Sequence, residues 1–170
     1  MVDLYFLVFI HIGTRRIWVS PCTANPTADW TSQQARNFAM HADEHDLPCK
    51  MVMRDNDKKY PKTFDDVFTT PTRKVKRNVP ASPNLQAHVE RVAQTLKHQV
   101  LNGFCVVSER QLDHILRRAA DWYNFLRCHS ARGNLPPVRE CDDPPVVDFE
   151  KQGIVCDSEL GGHLKSYRAA

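Results

Sequence analysis

The chain has 170 residues, a mass of 19.5 kDa and a formal net charge of +3. This length is enough for one domain with a hydrophobic core and too short for two large ones. With 42% hydrophobic and 25% charged residues, the composition excludes wholesale disorder and collagen-like or coiled-coil chains. The longest apolar run, residues 4–12, is too short to span a bilayer, and no signal-peptide pattern is present, so we expect no membrane segment.

The charge is concentrated in the middle of the chain. Residues 54–132 carry fifteen Lys and Arg against eight Asp and Glu, whereas the flanking thirds are slightly acidic. A basic middle is typical either of a solvated face or of contact with a polyanion. The six cysteines are spread singly with no CxxC pair, so we expect reduced thiols of an intracellular protein.

The first part of the chain alternates predicted strands and helices. Residues 4–12 and 15–20 are rich in aromatic and β-branched side chains and predict a hairpin. Thr27 is a suitable N-cap for a helix that runs to about His45, with its apolar residues on one stripe. Residues 50–54 predict a short strand.

The remainder predicts a short helix at 63–68, a basic edge strand at 73–79 and a long helix over residues 82–103. The apolar stripe of the long helix is predicted to comprise Leu85, Val89, Val92 and Leu96. Ser108, with Gln three residues later, predicts the capped start of another helix that extends to about Leu126.

Two domains of unequal size follow from this pattern. We expect an α/β domain over residues 1–135, and a Pro-rich acidic tail over residues 136–170 that is largely extended. His41 and His45 have the helical spacing of a zinc pair, but no third ligand is evident, which favours a solvated helix end.

Two carboxylates are the candidates for chemistry. Asp55 follows the predicted strand 50–54, and Glu90 lies on the non-core face of the long helix, 35 residues later. If the helix returns beside Asp55, the two carboxylates would supply oxygen ligands for hard divalent cations. The alternatives are a turn-forming Asp in the Asp-Asn-Asp segment and a Glu that favours the early turns of its helix electrostatically.

The chain resembles a known family at these residues. RDNDKKY (54–60) and SPNLQAHVERVAQTLKHQVL (82–101) resemble the second and third catalytic blocks of the DDE, or retroviral-integrase-like, transposase core. Residues 9–19 resemble its strand–turn–strand, and residues 122–135 resemble its closing Tyr-Asn…Arg-x-His…Gly segment. The final residues, LGGHLKSYRAA, are similar to the C-terminal tails of a bacterial branch. The resemblance implies a ribonuclease-H-like fold, in which helices flank a mixed sheet.

The resemblance also implies roles for individual residues. Asp55 and Glu90 would be the second and third metal-binding acids, holding Mg²⁺ or Mn²⁺, and Asp57 would be a neighbouring loop residue. Lys97 matches a basic residue that often contacts DNA in this family, and Arg91 is either a phosphate contact or an exposed helix charge. Further non-specific attraction to DNA phosphates, or alternatively protection of an edge strand, is expected from Arg73, Lys74, Lys76 and Arg77.

One departure from the family pattern bears on activity. The family's first catalytic Asp stands on a strand that precedes the match to residues 4–19, so we expect this strand and its acid to be missing and the two-metal site to be incomplete. Two hypotheses remain open. The protein is either a transposase or integrase core that cuts and joins DNA, or a catalytically inactive DNA-binding remnant.

The resemblance gives further expectations about context. DNA is the expected partner, homo-oligomers are expected on paired transposon ends, and no membrane contact is expected. The expected location is the cytoplasm of a bacterium, in association with the nucleoid when the protein is bound to DNA.

Overall fold

A computed structural model describes residues 2–57, 59–77, 83–139 and 153–170, with side chains from 87 onward in the third range. These residues form four α-helices and six short strands, joined by 3₁₀ and π turns. The α/β class predicted from the sequence is confirmed, and the arrangement is compatible with a ribonuclease-H-like fold. None of the helices within these residues combines the length and apolar character that a bilayer crossing demands.

The chain divides into two units. The first comprises residues 1–11 and 18–89, and the second comprises residues 12–17 and 90–170. The predicted domain boundary at residue 135 stays a prediction. The hairpin is present as strands β1 (Val8–Ile10) and β2 (Ile17–Val19), and an antiparallel bridge between Tyr5 and Thr23 extends it.

Helix α1 (Ala28–Glu44) begins where the sequence predicts. The Thr27 hydroxyl accepts a hydrogen bond from the Trp30 amide at 3.1 Å, which satisfies one of the free amides of the first turn. The helix buries one face, and Phe38 on this face stacks on Phe9 of β1 with ring centroids 4.1 Å apart. The core of the first unit is formed by Ala35, Phe38, Ala42, Leu47, Val52, Phe64 and Phe68.

A parallel strand pair sets the edge at which the candidate acid lies. Strand β3 (Met51–Arg54) and strand β4 (Lys74–Arg77) pair in parallel, and α2 (Lys62–Phe68) lies between them along the chain. Arg54 is in register with Arg77, so both strands end at the same level. Side chains at the carboxyl ends of parallel strands therefore meet at one edge, the usual location of ligand sites in α/β sheets.

The second unit contains most of the predicted long helix. Helix α3 (Pro83–Thr95) continues through a π turn (Leu96–Val100) and a 3₁₀ turn (Leu101–Gly103). Val92 and Leu96 are buried as predicted, but the prediction for Val89 is wrong, because 41% of that residue is exposed. The buried face continues through Val100 instead, and the predicted position Leu85 lies outside the described side chains.

Helix α4 (Glu109–Asp121) is capped as predicted and continues into a π turn (Trp122–Leu126). The Ser108 hydroxyl accepts a hydrogen bond from the Gln111 amide at 3.2 Å. The helix buries its apolar stripe, formed by Leu112, Ile115, Leu116 and Ala119.

The described end of the chain forms a hairpin. Strands β5 (Ile154–Glu159) and β6 (Leu164–Ala169) are antiparallel, and the turn between them contains two glycines with positive φ. The hairpin packs within the second unit through a buried Leu164 and an Arg118–Glu159 ion pair of 2.6 Å. The sequence predicts extended backbone in this region but not the pairing of the two strands.

Candidate nucleic-acid interface and acidic site

Asp55 occupies a tight turn directly after β3. Its side chain is exposed, and its Oδ1 accepts a hydrogen bond from the Asp57 amide at 3.4 Å. Asp57 in turn accepts a hydrogen bond from the Lys59 amide at 3.0 Å. Both side chains therefore accept a hydrogen bond from the amide two residues later, as turn-forming aspartates do. This role leaves the Asp55 carboxylate accessible to a ligand.

A buried ion pair holds the base of this turn. Arg54 donates from Nε and Nη2 to the two carboxylate oxygens of Asp65, at 2.6 and 2.7 Å. The third nitrogen, Nη1, donates to the Asp55 carbonyl oxygen at 2.8 Å. Charge-assisted bidentate pairs of this kind are strong and geometrically specific. The backbone of the candidate acid is therefore tied to α2 through Arg54.

The electrostatics of this pair follow from its geometry. The hydrogen bonds from Arg54, aided by one from Arg77, lower the pKa of Asp65 below its ordinary value of 3.8 despite burial. Tyr60 lies beneath the Arg54 guanidinium, which stands 5.4 Å from the ring centroid. Burial raises the pKa of Tyr60 above its ordinary value, so this phenol stays neutral near the acidic turn.

The four basic residues of the β4 region divide into two pairs. Arg73 forms an ion pair with Asp43 on α1, and Arg77 donates to Asp65 at 2.9 Å, so both guanidinium groups have partners within the first unit. Lys74 and Lys76 alternate with Val75, which packs on the core, and are exposed on the opposite strand face. The two lysines form no ion pair with any residue that the structure describes.

The other predicted site residues lie on the long helix. Glu90 and Arg91 are adjacent and exposed on α3, and neither has a side-chain partner within the described ranges. Lys97 is exposed in the π turn that follows. A π turn has more residues per turn than an α-helix. The side chains that follow it therefore lie on a face that is rotated relative to the side chains that precede it. Single π turns are frequent at functional sites.

The candidate metal ligands Asp55 and Glu90 are of the type that a hard divalent cation prefers, but two carboxylates are fewer than a metal site needs. Asp55 and Glu90 are exposed carboxylates, the oxygen ligands that Mg²⁺ and Mn²⁺ prefer. Asp55 belongs to the first unit and Glu90 to the second. Over residues 2–57, 59–77, 83–139 and 153–170, no three His, Cys, Asp or Glu side chains form a group that could hold a metal ion.

The histidine pair on α1 has a structural explanation. The rings of His41 and His45 are in contact, with centroids 4.1 Å apart, and the Nδ1 of His45 lies 2.9 Å from the His41 carbonyl oxygen. This contact at the end of the helix agrees with the interpretation as a solvated helix end.

Sequence reasoning missed a backbone clamp in the second unit. Asn124 accepts from the Ile17 amide at 2.8 Å and donates to the Ile17 carbonyl oxygen at 2.9 Å, in the same way as a neighbouring strand would. The Tyr-Asn dipeptide of the closing segment was the available signal. Its meaning depends on a contact across 107 residues, which no local pattern contains.

Comparison with known protein families supports the resemblance to an integrase-like core for one part of the chain. Residues 73–137 match the family model described as "Integrase core domain". The matched segment begins at β4, contains Glu90, Arg91 and Lys97, and ends after the Asn124 region. The resemblance is confirmed for this segment. No curated protein matches the chain.

Proposed function

We propose, on the premise that residues 73–137 are an integrase core segment, that this protein acts in DNA integration or transposition by cutting and joining DNA strands. The observation that carries the proposal is the coincidence of three features within one matched segment. These features are a strand with exposed lysines, the acid Glu90 and the basic residues that follow it on the same helical segment.

DNA would be held through phosphate contacts. Lys74 and Lys76 on β4 and Arg91 and Lys97 on the long helix are exposed, and none is engaged in an ion pair within the described ranges. Arg73 and Arg77 already have carboxylate partners, so contact with a phosphate would require them to exchange one anion for another. We therefore propose the two lysines as the stronger DNA contacts of β4.

Asp55 and Glu90 are the residues that would hold Mg²⁺ or Mn²⁺. When bound, such ions activate a water or a 3′-hydroxyl and stabilise the leaving oxygen in phosphoryl transfer. The role of Arg54 is to hold the Asp55 carbonyl, which limits the motion of the acid's backbone. The turn formed by Asp55 and Asp57 leaves the Asp55 carboxylate exposed to solvent and to ligands.

A salt titration of DNA binding tests the electrostatic part of this proposal. For the wild type, the logarithm of the DNA affinity should fall linearly with the logarithm of salt concentration. Lys74→Gln with Lys76→Gln should make this slope shallower by about 0.9 for each phosphate that is no longer neutralised. Arg73→Gln, in the same strand region, is the matched control and should change the slope less. Equal slopes for the wild type and the lysine variant would refute the assignment.

A second function is favoured by one observation. The protein is alternatively a DNA-binding module without cleavage, for which the exposed basic residues on β4 and the long helix suffice. Both functions predict salt-sensitive DNA binding. They differ in whether plasmid DNA is nicked in the presence of Mn²⁺, and nicking that Glu90→Gln abolishes would exclude the second.

The oligomeric state and the cellular location are part of the same proposal. Integrase cores that join DNA ends act on two ends at once, so we propose a homo-oligomer assembled on paired ends, in the cytoplasm of a bacterial cell. Sedimentation of the protein with and without end-containing DNA duplexes tests the assembly. A monomer at every ratio of protein to duplex would contradict it.

A further inference from the structure

An arginine-rich cluster surrounds a buried histidine in the second unit. His129 is 9% exposed and lies against the Tyr123 ring, with the two ring centroids 4.7 Å apart. Arg15 comes from the turn between β1 and β2, Arg127 follows the π turn after α4, and Arg132 lies in a 3₁₀ turn (Ser130–Arg132). Arg127 Nη1 lies 3.4 Å from the His129 ring, and the charges of Arg15 and Arg132 act on the same imidazole and lower its pKa.

Arg127 is held in place although none of the described carboxylates pairs with it. Its guanidinium lies over Trp122 and Tyr123, at 5.8 and 5.5 Å from the ring centroids. Its hydrogen-bond acceptors are neutral and distant, with Gln99 Oε1 at 3.5 Å and the Cys128 carbonyl at 3.4 Å. Such an arrangement orients a cation while leaving most of its hydrogen-bonding capacity available.

Arg132 is also incompletely satisfied. Its Nη1 donates to the Gly13 carbonyl oxygen at 3.4 Å, and its Nε is buried without a hydrogen-bond partner. Neither Arg132 nor Arg127 forms an ion pair in the part of the chain that the structure describes. A buried donor without a partner is unfavourable and rare in folded proteins, so the hydrogen bonds of Arg132 leave part of its donor capacity unused.

His129 reports the local charge. Its Nδ1 lies 3.4 Å from Arg127 Nη1, which can only donate, so this nitrogen is the acceptor and the proton lies on Nε2, towards the Tyr123 carbonyl oxygen. Burial lowers the pKa of His129 below its ordinary value of 6.5, and Arg127, Arg15 and Arg132 lower it further. The imidazole is therefore neutral among cations, and no carboxylate of the residues that the structure describes contributes to the shift of its pKa.

We propose that Arg127 and Arg132, together with Arg15, form a binding site for a phosphate group, and that its ligand in the cell is a backbone phosphate of DNA. This site lies outside the residues assigned to DNA in the proposed function, on which the choice of DNA as the source of phosphate rests. Guanidinium groups suit phosphate because their planar forks donate paired hydrogen bonds to its oxygens. A tetrahedral phosphate accepts hydrogen bonds on several sides, so donors from separate segments of the chain can bind it together.

The test uses the His129 imidazole as the reporter. In the full chain, NMR titration gives the pKa of His129 alone, with inorganic phosphate and with a DNA duplex. An anion bound among the arginines favours the imidazolium, so both ligands should raise the pKa. Arg127→Gln and Arg132→Gln change the starting pKa, because each removes a cation. The relevant quantity is therefore the further rise upon addition of ligand, which these variants should reduce or abolish.

Matched variants separate a binding role from a structural one. Arg117→Gln removes an exposed arginine of α4 that has no ion-pair partner within the described ranges, and should leave the ligand-induced rise intact. Arg127→Lys keeps the charge but removes the planar fork, so it should retain part of the rise. In DNA binding, Arg127→Gln should make the salt slope shallower by about 0.9, whereas Arg117→Gln should not.

The outcomes distinguish this inference from the proposed function. If DNA binds with the expected salt dependence but neither ligand changes the His129 pKa, the phosphate site is refuted and the function stands. If DNA does not bind while inorganic phosphate still raises the pKa, the anion site stands and the DNA function is refuted. An equal rise in the wild type, Arg127→Gln and Arg132→Gln also refutes the site.

Discussion

Arg54 and Asp65 form a buried bidentate ion pair that joins the end of β3 to α2, with the paired atoms 2.6 and 2.7 Å apart. Arg77, in register with Arg54 on β4, donates to the same carboxylate. One acid therefore fixes the ends of both strands, and Arg54 extends this support to the carbonyl of Asp55. The position of the turn that carries Asp55 therefore depends on Asp65, through Arg54.

Asp65→Asn should destabilise the protein strongly. The substitution leaves the buried Arg54 cation without its counter-ion, and removal of one member of a buried pair costs about 3–5 kcal/mol. Urea unfolding measures the change in the free energy of unfolding. Asp43→Asn removes the exposed acid that pairs with Arg73 and is the control, with an expected decrease of about 1 kcal/mol or less. Equal decreases in the two variants would contradict the account.

The same pair predicts a decrease of stability in acid. The folded pKa of Asp65 lies below its unfolded value because Arg54 and Arg77 stabilise the carboxylate. Its contribution is therefore fully present above an unfolded pKa of about 3.9 and is lost as the pH falls through the folded pKa. The difference in unfolding free energy between the wild type and Asp65→Asn should be constant from about pH 5 to 8 and should shrink at lower pH. A difference that grows on acidification would have the wrong sign.

Asn124→Ala should destabilise the second unit. It leaves the amide and the carbonyl of buried Ile17 without the two hydrogen bonds that Asn124 provides, and each unsatisfied buried group costs about 1–3 kcal/mol. Thermal unfolding followed by circular dichroism measures the change. Asn102→Ala, at an exposed position beside His98, should have little effect. A neutral Asn124→Ala would show that the clamp is dispensable.

The features that were predicted correctly depend on local sequence patterns. Thr27 and Ser108 cap their helices as expected, because a cap is defined by residues within one turn. The strand that ends at Arg54 was recognised from a short apolar run. The candidate acids were found by spacing and resemblance, and the integrase match covers Glu90 but begins after Asp55.

The features that were missed depend on tertiary contacts. The pairing of Arg54 with Asp65 and the clamp of Asn124 on Ile17 arise only when separate elements are packed together. The β5–β6 hairpin was not predicted, because the proline and acidic residues upstream are typical of extended backbone, whereas the hairpin depends on the pairing of two strands across the Gly161-Gly162 turn. Val89 lies at helical spacing from the buried Val92 and Leu96 but is itself exposed, so the periodicity alone did not show where burial of this face begins. The burial of Val100 follows a π turn, which a 3.6-residue period does not anticipate.

The most direct test of the central claim is a strand-transfer assay with the full chain, labelled duplex DNA ends and target plasmid, in Mg²⁺ or Mn²⁺. Joined product is expected from the wild type and from Glu44→Gln, which changes an exposed control acid on α1. Glu90→Gln should reduce joining by about 100-fold or more. Removal of an outer-sphere metal partner alone can cost that much, and Glu90 is proposed as a direct ligand. Undiminished joining by Glu90→Gln would contradict the role of Glu90, and DNA binding with no joining by the wild type would contradict the proposed activity.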